Sequence, residues 1–120
     1  MFKLILRRAL FCSLPFLSIS TVQAMHPNKD VLATQCRVLA QSVSSLISSQ
    51  KKEACVDKLI LSTYLLSVAS EYILDDSDDI AKEELTDAIY NLQYAELLNC
   101  KRYIQISHAK FETQKIMDSL

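Results

Sequence analysis

Residues 59–74 read LILSTYLLSVASEYIL, a segment that would be apolar around most of the circumference of a helix. Such a segment has to be covered by other parts of the chain, which predicts a buried central helix from about Glu53 to Leu74. No proline follows Pro27 and the chain contains no glycine, so the composition places no helix breaker beyond that point. Helix is therefore the structure expected for the rest of the chain.

An amphipathic helix is predicted before this segment, from about Asp30 to Ser49. Its apolar residues recur every three or four positions and form one stripe: Leu32, Cys36, Leu39, Val43 and Leu46. The run DDSDD at 75–79 follows the central helix and lacks the glycine and glutamate of a calcium-binding loop. It is expected instead to cap the next helix through Asp76 or Ser77.

Residues 79–120 contain neither glycine nor proline. A single helix of that length would extend about 63 Å, which is too long for a domain of this size. A bend is therefore expected between Asn91 and Asn99, where the apolar register changes. One stripe precedes the bend and one follows it: Ala81, Leu85, Ala88 and Leu92, then Leu97, Cys100, Ile104 and Phe111. The predicted fold is all-α, a small four-helix bundle in which short connections make neighbouring helices antiparallel.

Residues 1–24 are typical of a secretory signal peptide. Three basic residues within positions 3–8 precede an apolar run that ends in VQA at 22–24. The run is too short to span a bilayer and is interrupted by Pro15, so no stable membrane span is expected; an uncleaved anchor is the alternative. The sequence thus predicts export to the periplasm, with residues 25–120 forming a single helical domain.

The predicted mature chain carries 10 basic and 14 acidic side chains, a net charge of −4. Its cations occur singly or in pairs such as Lys51-Lys52, whereas binding to nucleic acid depends on clustered lysine and arginine. Nucleic acid is therefore not an expected partner. The aromatic residues are mainly tyrosines, expected to pack in the core with outward hydroxyls, the alternative being a contact surface: Tyr64, Tyr72, Tyr90, Tyr94 and Tyr103.

Three cysteines follow the predicted signal peptide, and an oxidising compartment favours a disulfide between two of them. If the first two helices turn near residue 50, Cys36 lies about 20 Å from Cys55 along the axis, beyond the roughly 7 Å between Cα atoms that a disulfide allows. The third helix returns the chain to the end of the bundle where Cys55 lies. We therefore predict a disulfide between Cys55 and Cys100, with Cys36 a buried thiol or, alternatively, half of an intermolecular bridge.

The composition argues against an enzyme. The chain of 120 residues allows one small domain, and without glycine it can form no phosphate-cradling loop or nucleophile elbow. Cys100 and His108, the one conceivable nucleophile and base, would lie about 12 Å apart along a helix. The cysteines are too widely spaced for a zinc site. We expect no catalytic residues, no metal and no cofactor.

The order of elements from Leu32 to Phe111 resembles the pilotin family of type II secretion systems, the PulS/OutS type of small helical periplasmic proteins. The resemblance rests on KKEAC at 51–55, IYNLQ at 89–93 and NCK at 99–101, together with a second helix that ends on an aromatic residue. The chain departs from the family by lacking its lipidated amino-terminal cysteine and its proline after the first cysteine, by having Glu-Tyr in place of Gly-Trp at 71–72, and by an extra cysteine.

The resemblance implies a non-enzymatic protein that binds the C-terminal helix of a secretin subunit in an apolar groove. We expect that groove to be formed by apolar residues of the first two helices beyond what one small core needs: Leu39, Val43, Leu46, Leu65 and Ala69. Two other functions fit the exported, acidic, disulfide-bonded bundle. One is a periplasmic immunity protein that inhibits a type VI cell-wall hydrolase toxin, and the other is an acid-stress periplasmic chaperone.

Overall fold

The computed structural model describes residues 28–120, which contain four α-helices and no strand. The helices are α1 (Lys29–Ser44), α2 (Glu53–Leu74), α3 (Asp78–Leu97) and α4 (Tyr103–Asp118), with one turn of 3-10 helix at Ile47–Ser49. The predicted all-α four-helix bundle with one disulfide is confirmed. The predicted signal peptide at 1–24 lies outside the described residues. No helix within residues 28–120 combines the length and the apolarity that crossing a bilayer requires.

Two of the three tight connections turn on a left-handed residue other than glycine. In the described chain Asp76 and Asn99 follow the ends of α2 and α3 and have positive φ values of 61° and 56°. Each is part of a Schellman motif: the amide of Cys100, for example, donates to the carbonyl of Ala95, and that of Asn99 to Glu96. Aspartate and asparagine tolerate this left-handed conformation better than most other residues, which explains how a chain without glycine turns sharply.

These motifs correct two predictions. The bend lies at residues 98–102, slightly later than the predicted interval, because Asn99 rather than the apolar register ends α3. Ser77 occupies the N-cap position of α3, but its side chain makes no capping hydrogen bond, so the predicted cap is wrong in that detail. Asp76 pairs instead with Lys29 at the start of α1, while Asp78 and Asp79 supply negative charge to the first turn of α3.

The helices form a ring around the core. Helix α2 packs against α1 and α3, and α4 closes the ring by packing against α3 and, least extensively of the neighbouring pairs, against α1. Helix α2 buries one face only, because a ring of four leaves the outer face of each helix uncovered. Ile60, Leu61 and Tyr64 on that outer face are 42–62% exposed, so the prediction that α2 is buried nearly all round is wrong.

The buried face of α4 also differs from the prediction. Leu97, Ile104 and Phe111 are 61–79% exposed, and of the predicted stripe only Cys100 is buried. The residues of α4 that enter the core are Ile106, Ala109, Thr113 and Ile116. The physical reason is the link at 98–102: Arg102 has a φ of 66° and changes the chain direction before α4 begins, so the apolar phase of α3 does not continue into α4.

Candidate binding groove

A groove of about 700 Å³ runs between α1 and α4, the least tightly packed side of the ring. We call it the α1–α4 groove. Residues from both helices and their adjoining links form it: Thr34, Gln35, Val38, Leu39, Ser42, Val43, Ser45, Leu46, Arg102, Ile104, Gln105, His108, Ala109, Glu112 and Ile116. Short side chains on both walls, among them Ser42 and Ala109, leave this space open.

The floor of the α1–α4 groove is apolar and its rim carries exposed apolar side chains. Its buried apolar residues are Leu39, Val43, Leu46, Ala109 and Ile116, each at most 8% exposed. Val38 on α1 and Ile104 on α4 are 56% and 79% exposed. Exposed aliphatic residues next to an apolar trough are typical of a binding surface, because burying them in a complex removes apolar area from water.

One end of the groove is held rigidly at the disulfide. Cys55, at the start of α2, is bonded to Cys100 in the α3–α4 link, with their Cα atoms 5.6 Å apart. The side chain of Gln50 accepts a hydrogen bond from the amide of Lys101 and donates to its carbonyl, both at 2.8 Å. Together these contacts fix the link that leads into α4, and with it the position of Arg102 at the end of the groove.

The five residues predicted to form a partner-binding groove lie in two places. Leu39, Val43 and Leu46 line the α1–α4 groove. Leu65 and Ala69 lie on α2, at 7% and 0% exposure, and are not among the residues that line it. The second wall is α4 instead of α2. Sequence reasoning missed this wall because it assigned Ile104 to the core.

The candidate catalytic pair has no nucleophile. Cys100 is bonded to Cys55, so its sulfur cannot act as a thiolate next to His108. His108 is exposed on the groove side of α4. Cys36 is buried on α1, as predicted, and burial raises the pKa of its thiol to about 11, so it is protonated at neutral pH. Within residues 28–120, histidine, cysteine and carboxylate side chains form no cluster that could hold a metal ion.

The tyrosines are mostly outside the core. Tyr64, Tyr90, Tyr94 and Tyr103 are 52–62% exposed, so the prediction that most of them pack in the core is wrong. Tyr90, Tyr94 and Leu97 lie on the outward side of α3, and we call them the α3 outer face. The ammonium of Lys58 on α2 lies 4.7 Å from the ring centre of Tyr94. This is a second exposed apolar surface, away from the α1–α4 groove.

A charged cluster joins α3 to α4 on the other side of α4. The carboxylate of Glu96 accepts hydrogen bonds from Ser107 and, at 2.7 Å, from the ammonium of Lys110. Burial raises the pKa of Glu96, but the hydrogen bonds from Lys110 and Ser107 and the charge of Lys110 outweigh it, so the pKa lies below its ordinary value. This cluster helps to fix the rotation of α4, and therefore which side chains it presents to the groove.

We expect Glu96→Gln to lower the free energy of unfolding by about 1–2 kcal/mol at pH 7. Because the folded pKa is lowered, the contribution of Glu96 is complete above the pKa of an unfolded glutamate, about 4.3, and is lost as the pH falls through the folded value. The difference between variant and parent should therefore shrink in acid. Urea unfolding followed by circular dichroism between pH 7 and pH 3 measures it.

The control for this measurement is Glu112→Gln. Glu112 pairs with Lys115 at 3.2 Å, but the Lys115 side chain is 74% exposed, and such surface pairs contribute little to stability. A Glu112→Gln variant as destabilised as Glu96→Gln, or a Glu96→Gln effect independent of pH, would contradict the assignment.

Comparisons with protein-family models, with curated proteins and with solved structures find no match to this chain, so the resemblance to pilotins stays a prediction.

Proposed function

We propose that the protein is a non-enzymatic periplasmic binding module whose α1–α4 groove takes an amphipathic helix of a partner polypeptide. The observation that carries the proposal is the apolar floor of the groove between two antiparallel helices, with Val38 and Ile104 exposed beside it. A helix laid in such a groove anchors itself through apolar residues at spacings of three and four, which is the usual way that helical bundles bind peptides.

The size of the groove sets the length of its occupant. Along α1 and its C-cap residue the lining residues run from Thr34 to Ser45, a distance of about 17 Å along a helix axis. A partner segment of about three turns would match this length and bring three or four apolar side chains to the floor. Thr34, Gln35 and Ser42 offer polar groups at the edge, suited to the polar flank of such a helix.

The proposed partner is the C-terminal helix of a secretin subunit. Two features support this choice: the order of elements that resembles pilotins, and a buried disulfide between Cys55 and Cys100, a bond that persists in oxidising compartments such as the periplasm. The departures from the pilotin pattern, chiefly the missing lipidation cysteine, suggest a protein that binds this helix without carrying it to the outer membrane.

A second candidate function uses a different surface. Tyr90 and Tyr94 of the α3 outer face are of a residue type that concentrates binding energy in protein interfaces, and the exposed Leu97 adds apolar area beside them. An immunity protein that inhibits a cell-wall hydrolase toxin would be expected to use such a face. The two functions therefore predict different binding residues on the same molecule.

The decisive experiment compares Ile104→Asp with Leu97→Asp. The two residues are 79% and 74% exposed, so neither substitution places a charge in the core. Binding of a fluorescently labelled peptide, with the sequence of the C-terminal helix of the secretin from the same genome, is followed by anisotropy. We expect Ile104→Asp to weaken binding at least tenfold, because the carboxylate is desolvated in the complex, and Leu97→Asp to change it less than twofold.

Three other results would change the binding surface or the partner that we assign. Loss of binding in Leu97→Asp alone would place the contact on the α3 outer face and contradict the groove. Failure of the unmodified protein to bind the secretin peptide would remove the secretin as the partner. Binding of the periplasmic hydrolase toxin, abolished by Leu97→Asp, would establish the second candidate function in its place.

A further inference from the structure

The two ends of the bundle carry opposite charge, and this asymmetry runs along the α1–α4 groove. Four basic residues lie at the disulfide end, in the two links that touch there, and they outnumber the neighbouring acidic Glu53 in the first turn of α2: Lys51, Lys52, Lys101 and Arg102. The opposite end carries an excess of acidic residues, in the first turns of α1 and α3, in the α2–α3 turn and in the last turn of α4: Asp30, Asp75, Asp76, Asp78, Asp79 and Asp118.

The basic end is poorly neutralised. Among residues 28–120, the ion pairs are Lys29 with Asp76 and Asp78, Lys110 with Glu96, and Lys115 with Glu112, so none of the four cations at the disulfide end has an acidic partner. Two of the four residues are held by hydrogen bonds at that end. Lys52 donates to the carbonyl of Leu98 at 2.8 Å, and Gln50 holds the backbone of Lys101.

The charged residues that line the groove show the same asymmetry. Arg102 lines it at the disulfide end and Glu112 lines it nearer the acidic end, three helical turns away along α4. The only other ionisable residue on its walls is His108, between the two. A helix bound in the groove would therefore meet a positive potential at one end and a negative potential at the other.

This difference in potential favours one orientation of a bound helix, because a helix has a dipole along its axis. Its C-terminal end carries partial negative charge and its N-terminal end partial positive charge, and acidic or basic side chains near the ends add whole charges. The favourable orientation places the C-terminal end near Arg102 and the N-terminal end near Glu112. Since α1 runs from Thr34 toward Ser45 at the Arg102 end, this orientation is parallel to α1 and antiparallel to α4.

We infer that the groove selects the direction of its occupant: a helix bound parallel to α1, with acidic residues at its C-terminal end against Lys101 and Arg102. This inference rests on the proposed function, and it names the chemistry of the partner as an amphipathic helix that is acidic toward its C-terminus. Electrostatic complementarity of this kind contributes more to orientation and partner choice than to affinity.

The test uses two synthetic twelve-residue peptides with the same leucines at helical spacing and blocked termini. One carries two glutamates in its last turn and two lysines in its first, and the other has these charges exchanged. A nitroxide label is attached to the C-terminal end of the first peptide, and the broadening of backbone amide signals of the full folded protein is measured by NMR. We expect stronger broadening around Arg102 and Gln105 than around Glu112 and Ile116; moving the label to the N-terminal end should reverse the difference.

A charge-reversed variant gives an independent readout. Lys101→Glu with Arg102→Glu should weaken binding of the first peptide about tenfold at low salt, with a smaller effect at 0.5 M NaCl because exposed charges are screened. Binding of the second peptide should strengthen. The matched control is Arg37→Glu with Lys82→Glu, which changes the net charge equally on residues that neither line the groove nor lie in the links at the disulfide end. This control should leave the ratio of the two affinities unchanged.

The measurements distinguish a wrong orientation of the bound helix from a wrong binding site. Stronger broadening around Glu112 than around Arg102 from a C-terminal label, equal broadening at both ends, or equal loss of affinity in the variant and its control would overturn the orientation while leaving the groove as the binding site. Absence of binding by both peptides, with no chemical-shift change at Ile104 or Val43, would instead count against the groove itself and thereby against the orientation.

Discussion

Replacing Cys55 and Cys100 together with alanine is expected to lower the free energy of unfolding by about 4 kcal/mol. The bond joins residues 45 positions apart, and the loop it closes contains α2, the α2–α3 turn and α3. Removing the disulfide raises the conformational entropy of the unfolded chain, which the closed loop had restricted. Since domains commonly have about 5–15 kcal/mol in total, the double variant should be only marginally stable. Urea unfolding followed by circular dichroism at 222 nm measures the change.

The control for this measurement is Cys36→Ala. Cys36 is as deeply buried as the two bonded cysteines, but it forms no bond within the described chain. Its truncation should cost about 1 kcal/mol, the usual effect of a single small change in a core. A double variant that is destabilised no more than Cys36→Ala would show that the cross-link contributes little. The Cys55/Cys100 double variant should also bind peptide more weakly, because the α3–α4 link that positions Arg102 is no longer bonded to α2.

The pairing of Cys55 with Cys100 could be predicted because it depends on coarse geometry. Once each helix is assigned and each connection is short, neighbouring helices alternate in direction, and the distance of a residue from each end follows from the rise per residue. An error of a few residues in the position of the bend moves Cys100 by only a few ångströms along the bundle. The prediction therefore survived a bend that lies later than expected.

The second wall of the groove could not be predicted, because it depends on how α4 is rotated about its own axis and not on distances along the bundle. Each residue turns a helix by about 100°, so the phase of α4 relative to α3 is set by the backbone of the link between them. The left-handed conformation of Arg102 determines that phase, and nothing in the apolar spacing indicates it. The first wall was predicted because Leu39, Val43 and Leu46 belong to an apolar stripe that continues without interruption from α1 into the turn that follows it.

The exposure of the tyrosines could not be predicted for a similar reason. A pattern of residues tells which face of a helix is apolar, but when a helix carries more apolar residues than one face holds, the pattern does not tell which of them stay outside. Tyr64 lies among Ile60, Leu61 and other apolar residues of α2, yet it is 62% exposed. Surplus apolar residues of this kind are where a contact surface is to be sought.

Ile106→Ala is expected to lower the free energy of unfolding by about 2–5 kcal/mol, whereas Ile104→Ala should change it by less than about 0.5 kcal/mol. The two side chains are identical and lie two positions apart on α4, but Ile106 is fully buried and Ile104 is 79% exposed. Truncating Ile106 leaves a cavity among the four helices, while truncating Ile104 removes atoms that water already surrounds. The helix-forming propensity changes equally in both variants and so cancels in the comparison.

Binding should rank the same two variants in the opposite order. Under conditions where both are folded, Ile104→Ala should weaken binding of the secretin peptide several-fold, since its side chain lies on the groove rim, and Ile106→Ala should leave the affinity nearly unchanged. The apolar spacing predicted the reverse assignment for Ile104, so the pair also tests the rotation of α4. A stable Ile106→Ala together with an unstable Ile104→Ala would mean that α4 is turned by about half a circle. In that case the groove could not have the walls on which its proposed function depends.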